Sequence, residues 1–125
     1  MIDEQIALGR RAIACMGWKW MRGMTSMEGG TFVAYTDNDE AFWLMHPDDG
    51  CDAEPVAWRL PNLTDPATLG CLLALVREAW GQDDMGASRY HGRWCIEFTP
   101  QEAQNYAFYG ASEAEALVAA LECAP

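Results

Sequence analysis

Apolar residues recur along this chain with two periods, one close to the spacing of a helix and one of two residues, which is typical of a β-strand. The helical period appears three times, each time after a residue that can cap a helix. In the first segment Asp3 precedes the apolar positions and Gly17 follows them as a stop signal. The pattern predicts three helices, at residues 3–16, from Thr64 or Asp65 to Trp80, and from Ser112 to about Glu122.

The two-residue period predicts β-strands in the segments between the helices. In the first of these segments Trp18 and Trp20 fall on one face, with Lys19 opposite. Glycine, proline and acidic residues interrupt the alternation and predict connections at 46–63, 82–88 and 100–104. The predicted strands are residues 17–22, 31–36, 41–45, 89–99 and 105–109, with a small bend at Gly92 in the fourth.

One pattern occurs twice in the chain. Residues 64–73 and 112–121 both begin with a hydroxyl residue, continue with an acid and then become apolar. In the second copy Glu115 stands three residues after Ser112, as in a capping box. Each copy follows predicted strands, so the element order α-β-β(β)-α-β-β-α consists of two related halves.

This order predicts an α+β fold with one antiparallel sheet of four to five strands. Apolar residues on both faces of several strands favour helices on both sides of the sheet, which gives a helix–sheet–helix sandwich. The length of 125 residues predicts a single domain over residues 1–125.

Composition restricts the class of protein further. Half of the residues are hydrophobic, so the chain can form a core. No apolar run reaches the roughly 18 residues needed to span a bilayer, and the first residues lack the basic and apolar parts of a signal peptide. Five cysteines without a C-x-x-C pair are typical of a reducing compartment. The sequence predicts a cytoplasmic protein without a membrane partner.

The formal net charge is −11, from 19 acidic and 8 basic residues. Binding to phosphates requires clustered lysine and arginine, so the charge argues against direct nucleic-acid binding. The charge has two interpretations: it keeps the protein soluble, or it also competes for a basic surface on a partner protein.

Residues 60–81 and 110–122 resemble segments of the phage ABA sandwich domain family, which occurs in small proteins of tailed phages and prophages. The opening residues 3–11 are also similar to members of that family. The resemblance implies a sheet between helical layers, a phage or prophage origin and a location in the cytoplasm of the bacterial host. It implies no catalytic residues. Residues 24–58 depart most from the family, so we expect the specific function there.

Acidic residues surround the predicted hairpin within this divergent segment, and the six tryptophans of the chain exceed what a small core needs. If the acids face one way, they form a negative patch beside aromatic side chains, which suits a basic, nucleic-acid-binding surface of a host protein. Glu54 belongs to the same acidic set, and Trp58 is the tryptophan that we expect the core to bury least. The predicted partner-binding residues are Asp37, Asp39, Glu40, Asp48, Asp49, Asp52 and Trp58.

These features predict an accessory protein that binds a host protein and inhibits a bacterial defence system such as CRISPR. One alternative is a structural or housekeeping phage component that forms a homodimer through exposed aromatic residues. Another is a metal-binding protein or hydrolase that uses residues 46–52, where His46 and Cys51 lie close in sequence. Structural zinc needs two ligand pairs and a hydrolase needs an oxyanion-stabilising turn, and neither pattern is present. We expect no catalytic residue, no metal and no cofactor.

Overall fold

The computed structural model describes residues 2–37, 40–46, 50–55, 59–98 and 106–125. Within these ranges the chain forms three helices and six strands, which confirms the α+β class. The helices are α1 (Ile2–Ile13), α2 (Pro66–Trp80) and α3 (Glu113–Glu122). The strands are β1 (Thr31–Tyr35), β2 (Ala41–His46), β3 (Gly50–Pro55), β4 (Gly86–Tyr90), β5 (Arg93–Phe98) and β6 (Tyr106–Gly110).

The prediction of one sheet with four to five strands is wrong. The described strands form two antiparallel sheets of three strands each, in the orders β1-β2-β3 and β4-β5-β6. Gly50–Pro55, predicted as part of a loop, pairs with β2 along its whole length. Its sequence is poor in β-formers, and pairing with an apolar strand outweighs that weak propensity.

The repeated unit in the element order therefore differs from the predicted one. Each three-stranded sheet is followed by one helix, so the order β-β-β-α occurs twice after α1. The predicted single strand at 89–99 is the end of β4 and the whole of β5. Tyr90 pairs with Arg93 across a two-residue turn, in which His91 has φ 51° and Gly92 has φ 79°. Positive φ at both positions is the type I′ geometry that suits a tight hairpin.

The predicted strand at 17–22 is also wrong, because these residues form turns and irregular structure. Trp20 is buried, and its backbone N–H donates to the hydroxyl of Tyr35. Its ring stacks on Phe32 and Phe42, with centroids 6.1 and 5.0 Å apart. The apolar spacing that resembled a strand therefore reflects core packing of single side chains.

Two of the three predicted helix caps are confirmed. Asp3, predicted to cap the first helix, lies inside α1 instead, since that helix begins at Ile2 and ends at Ile13 rather than at residue 16. Asp65, rather than Thr64, caps α2, because its carboxylate accepts from the backbone N–H of Thr68 at 2.9 Å. Ser112 caps α3 by accepting from the N–H of Glu115 at 3.2 Å. The Glu115 carboxylate accepts in turn from the N–H of Ala111, one residue before the position that a capping box uses.

Contacts within the chain group its described residues into two compact units, each with its own buried residues. The first unit covers Met1–Arg10 and Lys19–Cys71, and the second covers Arg11–Trp18 and Leu72–Pro125. In the first unit Phe42, Leu44 and Met24 are fully buried. In the second, Trp80 of α2 donates to the carbonyl of Ala120 in α3 at 2.8 Å. The single domain over 1–125 stays a prediction.

A separate finding concerns membranes. Among the helices of the described ranges, none combines the length and the apolar character that crossing a bilayer requires.

Candidate functional site

Strand β2 divides its side chains between the two faces of the first sheet. Phe42 and Leu44 are fully buried. Trp43 and Met45, which alternate with them, are 41% and 55% exposed. Because successive side chains of a strand point to opposite faces, one face of β2 belongs to the core and the other presents a tryptophan and a methionine to solvent.

Small residues surround these two side chains on the same face. Ala34 of β1 and Ala53 of β3 pair with Trp43 from either side, and Cys51 pairs with Met45. Directly paired residues share a face, so the large side chains stand above small neighbours. Ala34, Cys51 and Ala53 are themselves exposed. We call Ala34, Trp43, Met45, Cys51 and Ala53 the outer face of the first sheet.

The structure describes three of the predicted partner-binding acids. Asp37 and Glu40 are exposed and lie on either side of the β1–β2 connection. Asp52 is exposed on β3, where it pairs with Leu44 and therefore lies on the face of the sheet opposite to Trp43. Along β3, Asp52 is three residues, or about 10 Å, from Pro55. Pro55 pairs with Ala41, the residue that follows Glu40. Four other predicted residues lie outside the described ranges: Asp39, Asp48, Asp49 and Trp58.

Glu54, the further acid of this set, is held by an arginine of the same unit. Arg59 lies 2.9 Å from Glu54 and 3.0 Å from Glu28. Burial lowers the pKa of Arg59, but the hydrogen bonds to both carboxylates outweigh it and raise that pKa above its ordinary value. The bridge ties the end of β3 to the segment before β1, so Glu54 has a structural role.

The sheet separates the two residues of the rival hydrolase hypothesis. His46 lies on the same face of β2 as Leu44, and its ring lies next to Gly30. Cys51 pairs with Met45 and belongs to the outer face. Alternation therefore places His46 and Cys51 on opposite faces, which does not suit a nucleophile and its base. In the described part of the chain no three potential ligands come close enough to hold a metal ion.

A pocket lies on the second sheet, in a place that the sequence did not indicate. Ser88, Cys95 and Tyr109 are neighbours across β4, β5 and β6, so they share one face. Together with Tyr90 and Glu97 they line a pocket of about 220 Å³. Cys95 is buried at 3% exposure, whereas Tyr90 and Tyr109 are 54% and 42% exposed. We call these five residues the tyrosine pocket.

The charges around the tyrosine pocket are defined by two side chains. The thiol of Cys95 lies 4.0 Å from the Glu97 carboxylate. Burial, and then the charge of Glu97, raises the pKa of Cys95 above its ordinary value, so the thiol stays neutral at pH 7 and is a poor nucleophile. The guanidinium of Arg93 lies over the Tyr109 ring, 4.5 Å from its centroid.

The signal for this pocket was present in the sequence but incomplete. Alternation places Arg93, Cys95 and Glu97 on one face of a strand. Residues 82–88 were predicted as a loop, so the strand that brings Ser88 and Tyr90 beside them was missing. Cross-strand register depends on non-local pairing, which a single sequence does not display.

The second unit contains another concavity, of about 490 Å³, between the end of α1 and the end of α3. At its rim Arg11 donates to both carboxylate oxygens of Glu122, at 2.6 and 3.1 Å. The remaining lining is mainly apolar and includes Ala79 and Leu121. Met16, also in the lining, is fully exposed.

Comparisons with known proteins add no assignment. No protein-family model, no curated protein and no solved structure matches this chain. The resemblance to a phage family therefore remains a prediction from residues 60–81 and 110–122, and the function has to be argued from the surfaces described above.

Proposed function

We propose that this protein is a small acidic accessory protein that acts by binding another protein through the outer face of its first sheet. The observation that carries the proposal is the exposure of Trp43 and Met45 on a strand whose alternate residues, Phe42 and Leu44, are fully buried. Tryptophan and methionine are enriched at protein interfaces, and a tryptophan is among the commonest anchors of binding energy.

The charge of the chain supports a partner with a basic surface. The formal net charge is −11, and the described acids Asp37 and Glu40 are exposed at one end of the sheet. Complementary charge accelerates association and suppresses wrong partners, while the apolar anchors supply most of the affinity. In this proposal Asp37 and Glu40 steer the partner and Trp43 holds it, while Asp52, on the opposite face of the sheet, contributes only to the overall negative charge.

The biological setting of the proposal rests on the resemblance seen in the sequence. It comprises a phage or prophage origin and a role in bacterial cells as an inhibitor of a defence system such as CRISPR. A plaque assay tests this role: expression of the protein should raise the plating efficiency of a phage on a strain whose CRISPR system targets that phage. Unchanged plating would contradict the counter-defence role and leave the binding proposal to its own test.

The binding proposal is tested by capture from bacterial lysate with matched baits. The wild-type protein should retain a specific protein that the double variant Trp43→Ser, Met45→Ser loses. Met16→Ser is the control, because it removes a methionine that is more exposed than Met45, and it does so at another place on the chain. The captured protein is then purified and its binding measured alone. If all three baits retain the same proteins equally, the outer face is not the binding site.

A homodimer is the second candidate function, and the same face favours it. The described members of the outer face carry no formal charge, so two copies could pack together there despite their net charges of −11. Light scattering distinguishes the two: a dimer that Trp43→Ser converts to a monomer supports self-association. A wild-type monomer at high concentration contradicts it and leaves a different protein as the partner.

A further inference from the structure

The size of the tyrosine pocket limits what it can bind. Its volume of about 220 Å³ is below the roughly 300–1,000 Å³ of pockets that hold drug-sized ligands or cofactors. Its lining combines two exposed tyrosines with the buried Cys95. A cavity of this size and shape suits one side chain of a partner protein better than a free metabolite.

The lining determines the chemistry of that side chain. Tyr90 and Tyr109 contribute aromatic rings with hydroxyl groups to the lining, Ser88 contributes a further hydroxyl, and Glu97 contributes a carboxylate. Aromatic faces attract cations, and a carboxylate forms its strongest hydrogen bonds with charged donors. The neutral thiol of Cys95 adds no charge. The lining therefore matches an ammonium or guanidinium group above an aliphatic stem.

A contact between a cation and an aromatic ring already exists beside the tyrosine pocket. The Arg93 guanidinium lies 4.5 Å from the centroid of the Tyr109 ring, on a side chain that is not part of the pocket lining. Arg93 and Glu97 carry opposite formal charges and stand four residues apart on β5, so the attraction of a second cation depends on Glu97, on the aromatic rings and on the net charge of −11.

We propose that the tyrosine pocket receives a lysine or arginine side chain of the partner protein. This inference rests on the proposed function, since it names the group by which a basic partner would be anchored. It adds a second contact area on another sheet, with a chemistry different from that of the outer face. It also names one site at which the acidic protein would bind a basic side chain of its partner.

Small probes test the pocket without knowledge of the partner. A failure of the pocket inference can therefore be distinguished from a failure of the proposed function. The ¹⁵N-labelled full chain is titrated with the N-acetyl methylamides of lysine and arginine, and amide shifts are followed by NMR. The norleucine derivative is the matched control, because it keeps the aliphatic stem and lacks the charge. We expect saturable shifts at Cys95, Glu97 and Tyr109 with a Kd on the order of millimolar for at least one cationic probe, and none for norleucine.

Variants connect these shifts to individual side chains. Glu97→Gln should weaken binding of the cationic probe about fivefold, since an exposed carboxylate contributes modestly. Asp84→Asn removes the same charge from an exposed turn of this unit and should leave the Kd unchanged. Tyr90→Leu should weaken binding about threefold, whereas Tyr90→Phe, which keeps the aromatic face, should not.

Several results would overturn the inference. Equal binding of norleucine would identify an apolar pocket. Preferential binding of the N-acetyl methylamide of glutamate would mean that Arg93 governs the site. A titration of the folded protein without shifts at these residues would show that the pocket takes no cationic side chain. In each case the capture experiment with Trp43→Ser and Met45→Ser still decides the proposed function.

Discussion

Phe42 and Trp43 are consecutive residues of β2 whose side chains lie on opposite faces of the first sheet. Phe42 is fully buried and contacts the ring of Trp20 at a centroid distance of 5.0 Å, while Trp43 is 41% exposed. Two large aromatic side chains side by side in sequence thus have different roles. The first contributes to the core, and the second is available to a partner.

This difference predicts a contrast in stability. Phe42→Ala should lower the free energy of unfolding by about 3–5 kcal/mol, because it leaves a cavity in a packed core. Trp43→Ala should cost less than half as much, since it removes a side chain that already contacts water. Urea unfolding of both variants measures the two losses. Equal losses would mean that Trp43 belongs to the core and is not a free anchor.

The buried hydroxyl of Thr68 predicts a second effect on stability. It accepts from the N–H of Thr25 at 2.9 Å and donates to the Asp65 carboxylate at 3.0 Å. Thr68→Val keeps the shape but leaves both groups without this partner, so we expect a loss of about 1–3 kcal/mol. Thr64→Val is the control, because Thr64 is exposed and its hydroxyl donates to the Asn62 side chain rather than taking part in the cap. Similar midpoints for the two variants in urea would contradict this account of the cap.

The ion pair between Arg11 and Glu122 predicts a dependence on pH. The hydrogen bond from Arg11 lowers the pKa of Glu122 in the folded protein, against the opposing effect of burial. Its stabilisation is therefore complete above the ordinary glutamate pKa and is lost as the pH falls through the lower, folded-state value. With both side chains more than a third exposed, the contribution should stay below about 1 kcal/mol.

Thermal melts of the wild type and Glu122→Gln measure this contribution. The wild type should have the higher Tm at neutral pH, and the difference should shrink as the medium becomes more acidic than the ordinary glutamate pKa. High salt should reduce the difference at neutral pH, because the pair is partly exposed. A difference that grows on acidification would mean that the pKa of Glu122 is raised.

The five cysteines should react with thiol reagents in two groups. Cys51 and Cys123 are exposed. Burial raises the pKa of Cys15, Cys71 and Cys95, which lowers their thiolate fraction and slows their reaction. Reaction with a disulfide reagent under native conditions, followed by mass spectrometry, should label the two exposed thiols first. Labelling of Cys95 as fast as Cys51 would show that the base of the tyrosine pocket is open or its thiol activated.

The sequence predicted the helices better than the sheets, for a physical reason. The starts of α2 and α3 depend on local contacts, such as those of Asp65 with Thr68 and of Ser112 with Glu115, which lie within four residues of each other. Strand β3 depends on pairing with β2, and its own residues Gly50–Pro55 have little β-propensity. A local pattern cannot reveal that kind of stabilisation.

The candidate site was predictable only in part. The alternation of β2 separates Phe42 and Leu44 from Trp43 and Met45, but nothing in the sequence says which pair faces the core. The tyrosine pocket needs the register of three strands, of which Gly86–Tyr90 was mostly assigned to a loop. The acids at the β1–β2 connection were identified from composition, whereas their position relative to the outer face required the fold.

Trp43 is the central residue of the proposed function, as the anchor of a partner. The decisive measurement is the affinity of the captured partner, once purified, for the wild type and for Trp43→Ser, by calorimetry with both proteins shown to be folded. We predict that the substitution weakens binding at least about tenfold, as expected for a tryptophan at the centre of an interface. An unchanged affinity would contradict the proposal that the outer face of the first sheet binds the partner.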